Sequence, residues 1–485
     1  MSSSDKPKRN TLSIKPDSGE KKQGLGGGRP PVRGRHQAPK RPTLAEKTTA
    51  TAQAMPDKAP APQRRRKPDT QADGKPAPDS RPPRPGKSGP RPAKPGRAEP
   101  RAARREHFFA PCPRGLEAEL LKEIVELGAD EAIPAAGGVA FRGGMALGWK
   151  VNLWSRLAIR VLWRVAEGRY LMEDDLYRGA LNVDWPDLFD VSRTLAVTTV
   201  GRNSPLKSLN IVSLKIKDAV CDRFREATGE RPSVDTREPA VPLVAYLTAE
   251  RYSIYFDLSG EPLNRRGYRV QAAAAPLNEN LAAGLLKLAG WQPGTPLYDP
   301  MMGGGTLLLE AGLMALNIAP GLKRHFAFEN LKNFDMVEWQ HLRKDAQAAM
   351  AEPHPLPIFG SDIDPLMVRA AGLNLKAAGL LDCVRIMEAD FLNVNPPTAG
   401  GLIVSNPPYG VRLSTEDMAT FYQAIGDNLK QHFPGWTAYL LSADPEFPKQ
   451  VGLKASRRTP LFNGPLECRL YEYRLVAGGN RKPGR

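Results

Sequence analysis

The amino-acid sequence predicts an α/β fold: a parallel, doubly wound sheet over residues 263–478, preceded by an α+β region over 106–262. Three observations support this organisation. Strand and helix patterns alternate from about residue 272 onward, strand pairs joined by short turns precede them, and the first 105 residues contain no Phe, Trp or Tyr. The chain is therefore expected to begin with a disordered basic tail at 1–105 and to end with a short disordered segment at 479–485.

The excess positive charge lies in the tail at 1–105. This tail holds 27 Lys and Arg, 9 Asp and Glu, and 19 of the 47 prolines, so its net charge is +18. The rest of the chain keeps 42 basic and 43 acidic residues, a net charge of −1. Such a tail buries too little apolar area to offset its chain entropy, which predicts disorder. A polycation attracts polyanions such as RNA, but a solubilising extension without a defined target fits the same composition.

The region at 106–262 mixes helix and strand patterns. Apolar residues three and four apart predict helices, and alternation predicts strands. The predicted helices are 116–127, 151–158 and 206–227, and the predicted strands are 138–141, 196–200, 241–247 and 252–257. Antiparallel strands combined with helices indicate an α+β domain or two small ones.

Strand and helix patterns alternate over the region at 263–478. The predicted helices are 281–288, 306–316, 365–378 and 421–432, and the predicted strands are 296–298, 357–360, 384–387, 402–404, 438–441 and an edge strand at 470–475. Ligands of such sheets bind at the carboxyl ends of the strands. Polar motifs follow four predicted strands, at Asp299, Asp362, Asp390 and Asn406.

The most informative motif is Asn406-Pro407-Pro408-Tyr409, which directly follows a short apolar strand. The two prolines fix the backbone. The Asn406 amide oxygen and the Pro407 carbonyl can accept hydrogen bonds from one exocyclic amine, and Tyr409 can stack on the ring that carries it. Held in this way, the amine nitrogen can point its lone pair at an electrophile. Asn406, Pro407 and Tyr409 are therefore the candidate catalytic residues, whereas a Pro-Pro pair alone would indicate only a turn.

A second motif is the glycine turn between Asp299 and Thr306, whose glycines allow positive φ and close approach to a ligand. A P-loop would need a lysine before Thr306, and the dinucleotide fingerprint would need glycine at Leu308. S-adenosylmethionine has no phosphate and fits better. Asp362 would then bind the ribose diol and Asp390 the adenine amine, and the methyl group would lie next to the amine held by Asn406. Each acid alone would equally suit a helix cap, but four motifs in order favour a cofactor site.

Cysteine and hydropathy patterns restrict the remaining function classes. Cys112, Cys221, Cys383 and Cys468 are scattered without metal-ligand or disulfide spacing, so we expect no metal. No stretch of the sequence is apolar and long enough to span a membrane, and the N-terminus lacks a secretory signal. The expected compartment is the cytoplasm, with no membrane partner.

Nine short segments carry a family resemblance: 113–117, 214–220, 257–260, 265–269, 275–282, 291–294, 299–300, 405–410 and 463–468. Through them, residues 107–475 resemble the bacterial 23S rRNA guanine-N2 methyltransferases of the RlmL-like family. These proteins join a ferredoxin-like and THUMP RNA-binding region to a class I, Rossmann-like methyltransferase domain. Some members are fused to a second methyltransferase. This chain ends after one, so we expect the second activity to be absent.

The resemblance implies RNA as substrate, S-adenosylmethionine as cofactor and guanine N2 as target. The implied cofactor-binding residues are Asp299, Gly303, Gly305, Asp362, Ile363, Asp390, Asn406 and Asn280. The candidate RNA-binding residues are Lys207, Lys215, Lys217, Arg265, Arg266 and Arg269, although the arginines also suit a solvated linker. Met302 and Gly304 stand where the family usually has Cys and Ser, and Asn280 where it often has Thr.

The sequence therefore predicts an RNA methyltransferase acting on guanosine N2 in 23S rRNA. Three alternatives remain: guanine-N2 transfer to tRNA, transfer to adenine N6, and a non-catalytic RNA-binding assembly factor on a degenerate methyltransferase fold.

Overall fold

A computed structural model describes residues 105–271, 277–408 and 415–476, with only the backbone at 415 and 416. The tail up to residue 104, Tyr409 and the segment at 479–485 lie outside these residues. The elements in chain order are β1 Glu106–Pro111, α1 Glu117–Glu126, β2 Glu131–Ala135, β3 Gly138–Gly143, α2 Met145–Trp154, β4 Leu162–Arg169, α3 Glu173–Leu181, α4 Trp185–Leu188, β5 Leu195–Gly201, α5 Leu209–Thr228, β6 Val241–Leu247, β7 Arg251–Asp257, α6 Glu279–Leu288, β8 Leu297–Asp299, α7 Thr306–Ala315, α8 Met336–Ala348, β9 Ile358–Asp362, α9 Pro365–Ala378, β10 Arg385–Glu388, β11 Leu402–Ser405, α10 Thr415–His432, β12 Thr437–Ser442, α11 Phe447–Gln450, β13 Arg457–Asn463 and β14 Leu466–Arg474.

The first seven strands form one sheet in the order β2-β3-β1-β4-β7-β6-β5. Strands β5 and β6 are parallel and the other neighbours are antiparallel. Side chains alternate between the two faces, as strand geometry requires. One face carries Phe108, Phe141 and Ile254 into a core shared with α1, α2, α3 and α5. The opposite face, which we call the open face, carries half-buried and exposed side chains such as Phe109 and Tyr255.

The second sheet has the order β10-β9-β8-β11-β12-β14-β13. Its first five strands are parallel, and the last two are antiparallel. Leu297 and Val404 pack with α7 and α9 in the core that also reaches the first sheet. Tyr298 and Ile403 point to the other face and pack with α10 in a separate aromatic cluster. Helices therefore cover both faces, which confirms the predicted α/β class.

Two predicted elements differ from the structure. The helix predicted at 151–158 is α2, which begins earlier and ends at Trp154, because Ser155 takes an extended conformation. The strand predicted at the sheet edge, β14, lies between β12 and β13, so β13 forms the edge. The alternation along β14 did indicate a strand but not its place in the sheet, because pairing partners are set by the fold.

A buried carboxylate explains why α2 ends where it does. Glu123 of α1 accepts hydrogen bonds from the Ser155 hydroxyl at 2.7 Å and from the backbone N–H groups of Arg156 at 2.9 Å and Leu157 at 3.3 Å. Because the chain leaves the helix here, these buried N–H groups have no helical carbonyl to donate to, and the carboxylate satisfies them. The next side chain, Arg156, donates to the carbonyls of Leu313, in the last turn of α7, and Ile318, just after that helix. The same segment thus ties the first sheet's helices to the second half of the chain.

Replacing this carboxylate should destabilise the protein strongly. Glu123→Ala should lower the free energy of unfolding by about 3–5 kcal/mol, because three buried donors lose their acceptor. Urea denaturation followed by circular dichroism would measure the change. Glu126→Ala, on the exposed side of the same helix, is the matched control and should change the value by about 0.5 kcal/mol or less. Equal losses in the two variants would contradict this account.

Candidate active site

The four polar motifs meet at one edge of the second sheet. Strands β10, β9, β8 and β11 are neighbours in that order, and their carboxyl ends lead into Asp390, Asp362, Asp299 and Asn406. The chain runs outward from β8 to β10 and then returns to the other side of β8 as β11. Such a reversal opens a crevice at the strand ends, where doubly wound sheets bind their ligands.

Asn406 presents an acceptor that is suited to a ligand. Its side-chain Oδ1 is buried and accepts no hydrogen bond from the described residues. A buried acceptor without a donor costs about 1–3 kcal/mol, so such groups usually mark a binding site or an ordered solvent position. The following backbone is held in place, because the Tyr422 hydroxyl of α10 donates to the Pro408 carbonyl at 3.2 Å.

Asp299 joins the two strands on either side of the crevice. Its Oδ1 accepts from the Ser405 hydroxyl of β11 at 2.6 Å and from the Met301 N–H at 3.3 Å. The carboxyl group is buried. Burial raises the pKa of Asp299 to about 7, with a smaller upward contribution from Asp362, while the two hydrogen bonds oppose the shift. Asp299 therefore fixes the spacing of β8 and β11 and can change charge near neutral pH.

The glycine turn is held open by Asp362. The Gly303 N–H donates to Asp362 Oδ2 at 2.8 Å, and Asp362 Oδ1 accepts from the Asp364 N–H at 3.0 Å. Gly303 has φ of 51°, and a side chain there would meet no atom within 4 Å, so this position faces open space. Gly305 has φ of 80° and begins α7. Asp364, not Asp362, caps α9 through the Leu366 N–H, so the helix-cap alternative does not account for Asp362.

The residues that depart from the family pattern do not fill the crevice. Met302 is buried and packs against Gly360 of β9, where an added Cβ would lie 2.7 Å from its sulfur. Gly304 adds no side chain, and its carbonyl accepts from Asn374 at 3.0 Å. Neither residue therefore closes the open side of the turn.

The remaining cofactor candidates differ in exposure. Asp390 is half-buried, and its carboxylate accepts from the Leu392 N–H at 3.0 Å and from the Asn393 side chain at 2.8 Å. Asp390 therefore also caps the short helical turn that follows it, a role that its sequence position suited equally well. Ile363 is 67% exposed beside Asp362. Asn280 is buried in the first turn of α6, and its oxygen accepts from the Leu281 N–H at 3.0 Å.

Asn374 of α9 is a site residue that sequence analysis missed. It accepts from the N–H groups of Val270 at 2.9 Å and Gln271 at 3.1 Å, and donates to the carbonyl of Gly304. It thereby connects the segment before α6 to the glycine turn. The available signal was an amide at a buried position of an otherwise apolar helix stripe, which implies a buried hydrogen-bond network.

Arg266 is buried, which corrects its prediction as an RNA-binding residue, and Arg269 is half-buried in an ion pair. The Arg266 side chain is 2% exposed and lies against Glu310 of α7 at 3.4 Å, so RNA cannot reach it. Arg269 is 22% exposed, pairs with Glu279 at 2.9 Å and donates to the Leu277 carbonyl at 2.9 Å. An Arg-rich motif gives no indication of buried partners far along the chain, which is why both were assigned to the surface.

The other predicted RNA-binding residues lie at the surface. Lys207 is exposed just before α5, and Arg265 is exposed and pairs with Glu261 at 3.0 Å. Lys215 pairs with Asp174 at 2.8 Å, and Lys217 pairs with its neighbour Asp218. Their role stays a prediction.

Within the described residues 105–271, 277–408 and 415–476, no cluster of His, Cys, Asp and Glu could hold a metal ion. Within the same ranges no helix is long and apolar enough to cross a membrane.

Family models match nearly all of the described chain. An RlmL ferredoxin-like domain matches residues 107–162, a THUMP domain matches 171–257, and an RMKL-like methyltransferase domain matches 266–472. A putative RNA methyltransferase of Synechocystis is 40% identical over 77% of this chain and 98% of its own length. The ribosomal RNA large subunit methyltransferase K/L of Psychromonas ingrahamii is 40% identical over 76% of this chain, which spans about half (50%) of that relative.

Solved structures agree with these matches. A putative methyltransferase crystallised with SAH has a TM-score of 0.71 at 28% identity, covering 77% of this chain and 99% of its own. A possible methylase from Clostridium difficile also has a TM-score of 0.71, at 29% identity over 79% of this chain and 100% of its own. The fold and the crevice thus define a class I methyltransferase. More specifically, the chain belongs to the family of THUMP-containing RNA methyltransferases with an RMKL-like catalytic domain, as its sequence resemblance predicted.

The raised pKa of Asp299 predicts how stability depends on pH. Its pKa is about 7 in the folded state and 3.8 in the unfolded chain, so ionisation disfavours the folded state as pH rises from about 4 to about 7. Asp299→Asn keeps an oxygen for Ser405 and Met301 but cannot ionise. The variant should therefore gain free energy of unfolding relative to wild type across that range, by up to about 4 kcal/mol.

Urea denaturation at several pH values would test this prediction. The control is Asp335→Asn at the exposed N-cap of α8, which keeps the Asp299 carboxyl group and should therefore still lose stability as pH rises from about 4 to about 7. A constant difference between Asp299→Asn and wild type from pH 4 to pH 8 would contradict the raised pKa.

Proposed function

We propose that the protein transfers a methyl group from S-adenosylmethionine to the exocyclic N2 amine of a guanosine in large-subunit rRNA. The observation that carries this proposal is the buried Oδ1 of Asn406 at the end of β11, which accepts no hydrogen bond from any described residue. An exocyclic amine has two hydrogens to donate, and the Asn406 oxygen together with the Pro407 carbonyl offers two acceptors. The Asn-Pro-Pro-Tyr segment supports this chemistry, and the family match supports RNA as its substrate.

The crevice residues fit the cofactor. S-adenosylmethionine supplies a methyl group on a sulfonium centre. The open side of Gly303 leaves backbone space for a ligand, and the Asp362 carboxylate beside it has lone pairs for a ribose diol. Asp390 would accept from the adenine amine, and Ile363 would pack against the adenine ring. The solved relative crystallised with SAH supports this assignment.

The chain's own residues would act mainly by positioning. Asn406 and Pro407 would hold the amine so that its lone pair faces the methyl carbon at about 3–3.5 Å. Tyr409 would stack on the target base, which must leave its helix stack to reach the crevice. Ser405 and Asp299 keep the ends of β11 and β8 at a fixed distance, so that amine and methyl donor are held on the same frame.

The alternatives are distinguished by particular observations. The amine geometry alone suits adenine N6 as well, and a predicted N6-adenine-specific DNA methylase from Listeria monocytogenes has a TM-score of 0.70 at 29% identity. Guanine N2 rests on the family resemblance, and the name of the K/L relatives supports large-subunit rRNA as the substrate. A degenerate, non-catalytic factor is disfavoured because Met302 points into the core and leaves the turn open. Guanine-N2 transfer to tRNA uses the same site.

Mass-spectrometric mapping of modified nucleotides separates these alternatives. Ribosomal RNA and tRNA from a deletion strain should be compared with those from the parent. Loss of one N2-methylguanosine from 23S rRNA is the expected result, and it would also place the enzyme in the cytoplasm with the ribosome. Loss of N6-methyladenosine, or of a tRNA modification alone, would replace the proposed target.

Removing the Asn406 acceptor should abolish methyl transfer. Asn406→Ala should lower turnover about 10²–10³-fold, as losing one preorganised hydrogen-bonding group does in other enzymes, while cofactor affinity stays within a few fold. A tritiated-methyl assay on unmodified rRNA measures turnover. Tyr409→Phe keeps the stacking ring and should stay active, whereas Tyr409→Ala should not. Near-normal turnover by Asn406→Ala would refute the assignment.

Asp362 and Asp364 form a matched pair for testing cofactor binding. Asp362→Ala should weaken S-adenosylmethionine binding about 10- to 150-fold, the equivalent of roughly 1.5–3 kcal/mol for a charge-assisted hydrogen bond. Asp364→Ala removes the cap of α9 and should cost about 1 kcal/mol of stability with little change in affinity. Calorimetric titration compares the two. Equal affinities would mean that Asp362 only supports the Gly303 turn.

A further inference from the structure

The open face of the first sheet carries a cavity that the methyl-transfer site does not use. The cavity has a volume of about 340 Å³. It is lined by His107, Phe109, Ile133, Arg142, Arg164 and Tyr255. These residues come from β1, β2, β3, β4 and β7, which are neighbours in the sheet. The volume is within the range of small-ligand sites.

Strand registers show that the cavity is part of a larger surface on the open face, which is made of arginine and aromatic side chains. His107 lies opposite Arg142, and Arg164 lies opposite Tyr255. With the period of two along each strand, Arg169, Arg251 and Tyr246 also point to this face. The aromatic rings of Phe109, Tyr255 and Tyr246 therefore alternate with arginines. Tyr246 is 38% exposed and Ile133 is 66% exposed.

Charge on this face is unbalanced. The strands place Arg142, Arg164, Arg169 and Arg251 on it, against two carboxylates, Glu131 and Glu167. Glu167 is shared between Arg164 at 2.9 Å and Arg251 at 3.7 Å. Glu131 is shared between Arg142 at 3.1 Å and Arg105 at 3.7 Å. The face therefore has a net charge of +2 and attracts an anion.

His107 lies between two of these guanidinium groups. Arg164 Nη2 is 2.8 Å from His107 Nδ1, and Arg142 Nε donates to the same nitrogen at 3.3 Å. Arginine can only donate, so Nδ1 must accept and the ring proton must be on Nε2. Burial, followed by Arg164 and Arg142, lowers the pKa of His107, so the ring is neutral. The two guanidinium groups are thus held close together by an uncharged acceptor, which adds no negative charge to this part of the face.

We propose that the open face binds an unpaired segment of RNA, with bases stacked on Phe109 and Tyr255 and phosphates bound by Arg142 and Arg164. The proposal rests on the proposed function, because it deepens how the RNA substrate is held. Unpaired RNA combines flat aromatic bases with regularly spaced phosphates, which matches aromatic rings interleaved with arginines. Duplex RNA keeps its bases stacked inside and cannot use the rings.

The bound segment is not the target nucleotide. Helices α1 and α2 pack on the other face of the sheet and contact α6 and α8 of the methyltransferase half. The open face therefore points away from Asn406. The chain also enters β1 at Arg105 beside this face, so the basic tail is attached where the RNA would lie. Lys215 and Lys217 are on α5, which packs on the opposite side of the sheet, and would not contact the same segment.

Binding of a labelled oligonucleotide to the full-length protein tests the proposal. The probes are a fluorescein-labelled 12-nucleotide single-stranded RNA of mixed sequence, with its length set at about that of one binding face, and the same strand paired with its complement. Fluorescence anisotropy at raised salt limits the contribution of the tail. Phe109→Ala with Tyr255→Ala should weaken single-strand binding about 5- to 150-fold for each base unstacked, and duplex binding much less.

Charge variants give an independent measurement, since their side chains lie at the surface and should not affect folding. Arg142→Gln and Arg164→Gln should each reduce the salt dependence of single-strand binding by about 0.7 in slope. The controls are Tyr177→Ala and Arg225→Gln on α3 and α5, which should bind both probes as wild type does. On large-subunit rRNA, the aromatic variant should raise KM with kcat unchanged, because the crevice is intact.

Several outcomes would overturn the proposal. Wild-type affinity of the aromatic and arginine variants for the single strand would do so while leaving the proposed function standing, provided the rRNA is still methylated. So would equal losses for strand and duplex. A concentration-dependent dimer that Phe109→Ala dissociates, with RNA affinity unchanged, would show that a second copy covers the face. Conversely, loss of strand binding in variants of a protein that methylates no RNA would support the face and refute the proposed function.

Discussion

The hydrogen bond between Ser405 and Asp299 is the interaction on which the site depends. It joins β11 to β8 at the point where the chain reverses its direction across the sheet. The crevice exists only because these strand ends are neighbours, and the bond fixes their separation. A buried carboxyl group without that partner would be costly. Because Asn406 directly follows Ser405 in the chain, this hydrogen bond also fixes the position of the Asn406 side chain.

A second layer of contacts keeps the glycine turn in register with the strand ends. Asp362 accepts the Gly303 N–H, and Asn374 donates to the Gly304 carbonyl while it accepts from the segment before α6. The turn therefore takes its shape from two side chains of β9 and α9, not from its own sequence alone. Neither Met302, which is buried, nor Gly304, which has no side chain, takes part in holding this shape through a side-chain hydrogen bond.

The two halves of the chain are linked through buried charges. Arg156 follows α2 and donates to the carbonyls of Leu313, in the last turn of α7, and Ile318, just after it. Arg266 donates to the Arg156 carbonyl and contacts Glu310 of α7. Removing one partner of such a buried cluster is costly, so these groups act as a unit. Helix α7 begins directly after Gly305, the last glycine of the glycine turn. The RNA-binding half is therefore attached to the same helix that carries the turn, which sets the frame in which substrate and cofactor meet.

Local sequence patterns determined much of this architecture. The spacing of apolar residues predicted helices α1, α5, α7 and α9 with ends close to the observed ones. The prolines that follow Ser405 and Asn406 predicted where β11 ends. They also gave the order of the four polar motifs along the chain. They could not predict pairing between distant segments. Only the folded structure shows that β14 is internal and that Glu123 accepts from the donors where α2 ends. The same holds for Arg266, which is buried against Glu310, and for Arg269, which is half-buried and pairs with Glu279. The partners of these residues lie far along the chain, so only the tertiary structure decided their roles. The open face of the first sheet was decided in the same way, since its arginines and aromatic rings come from five strands that meet only in the folded protein.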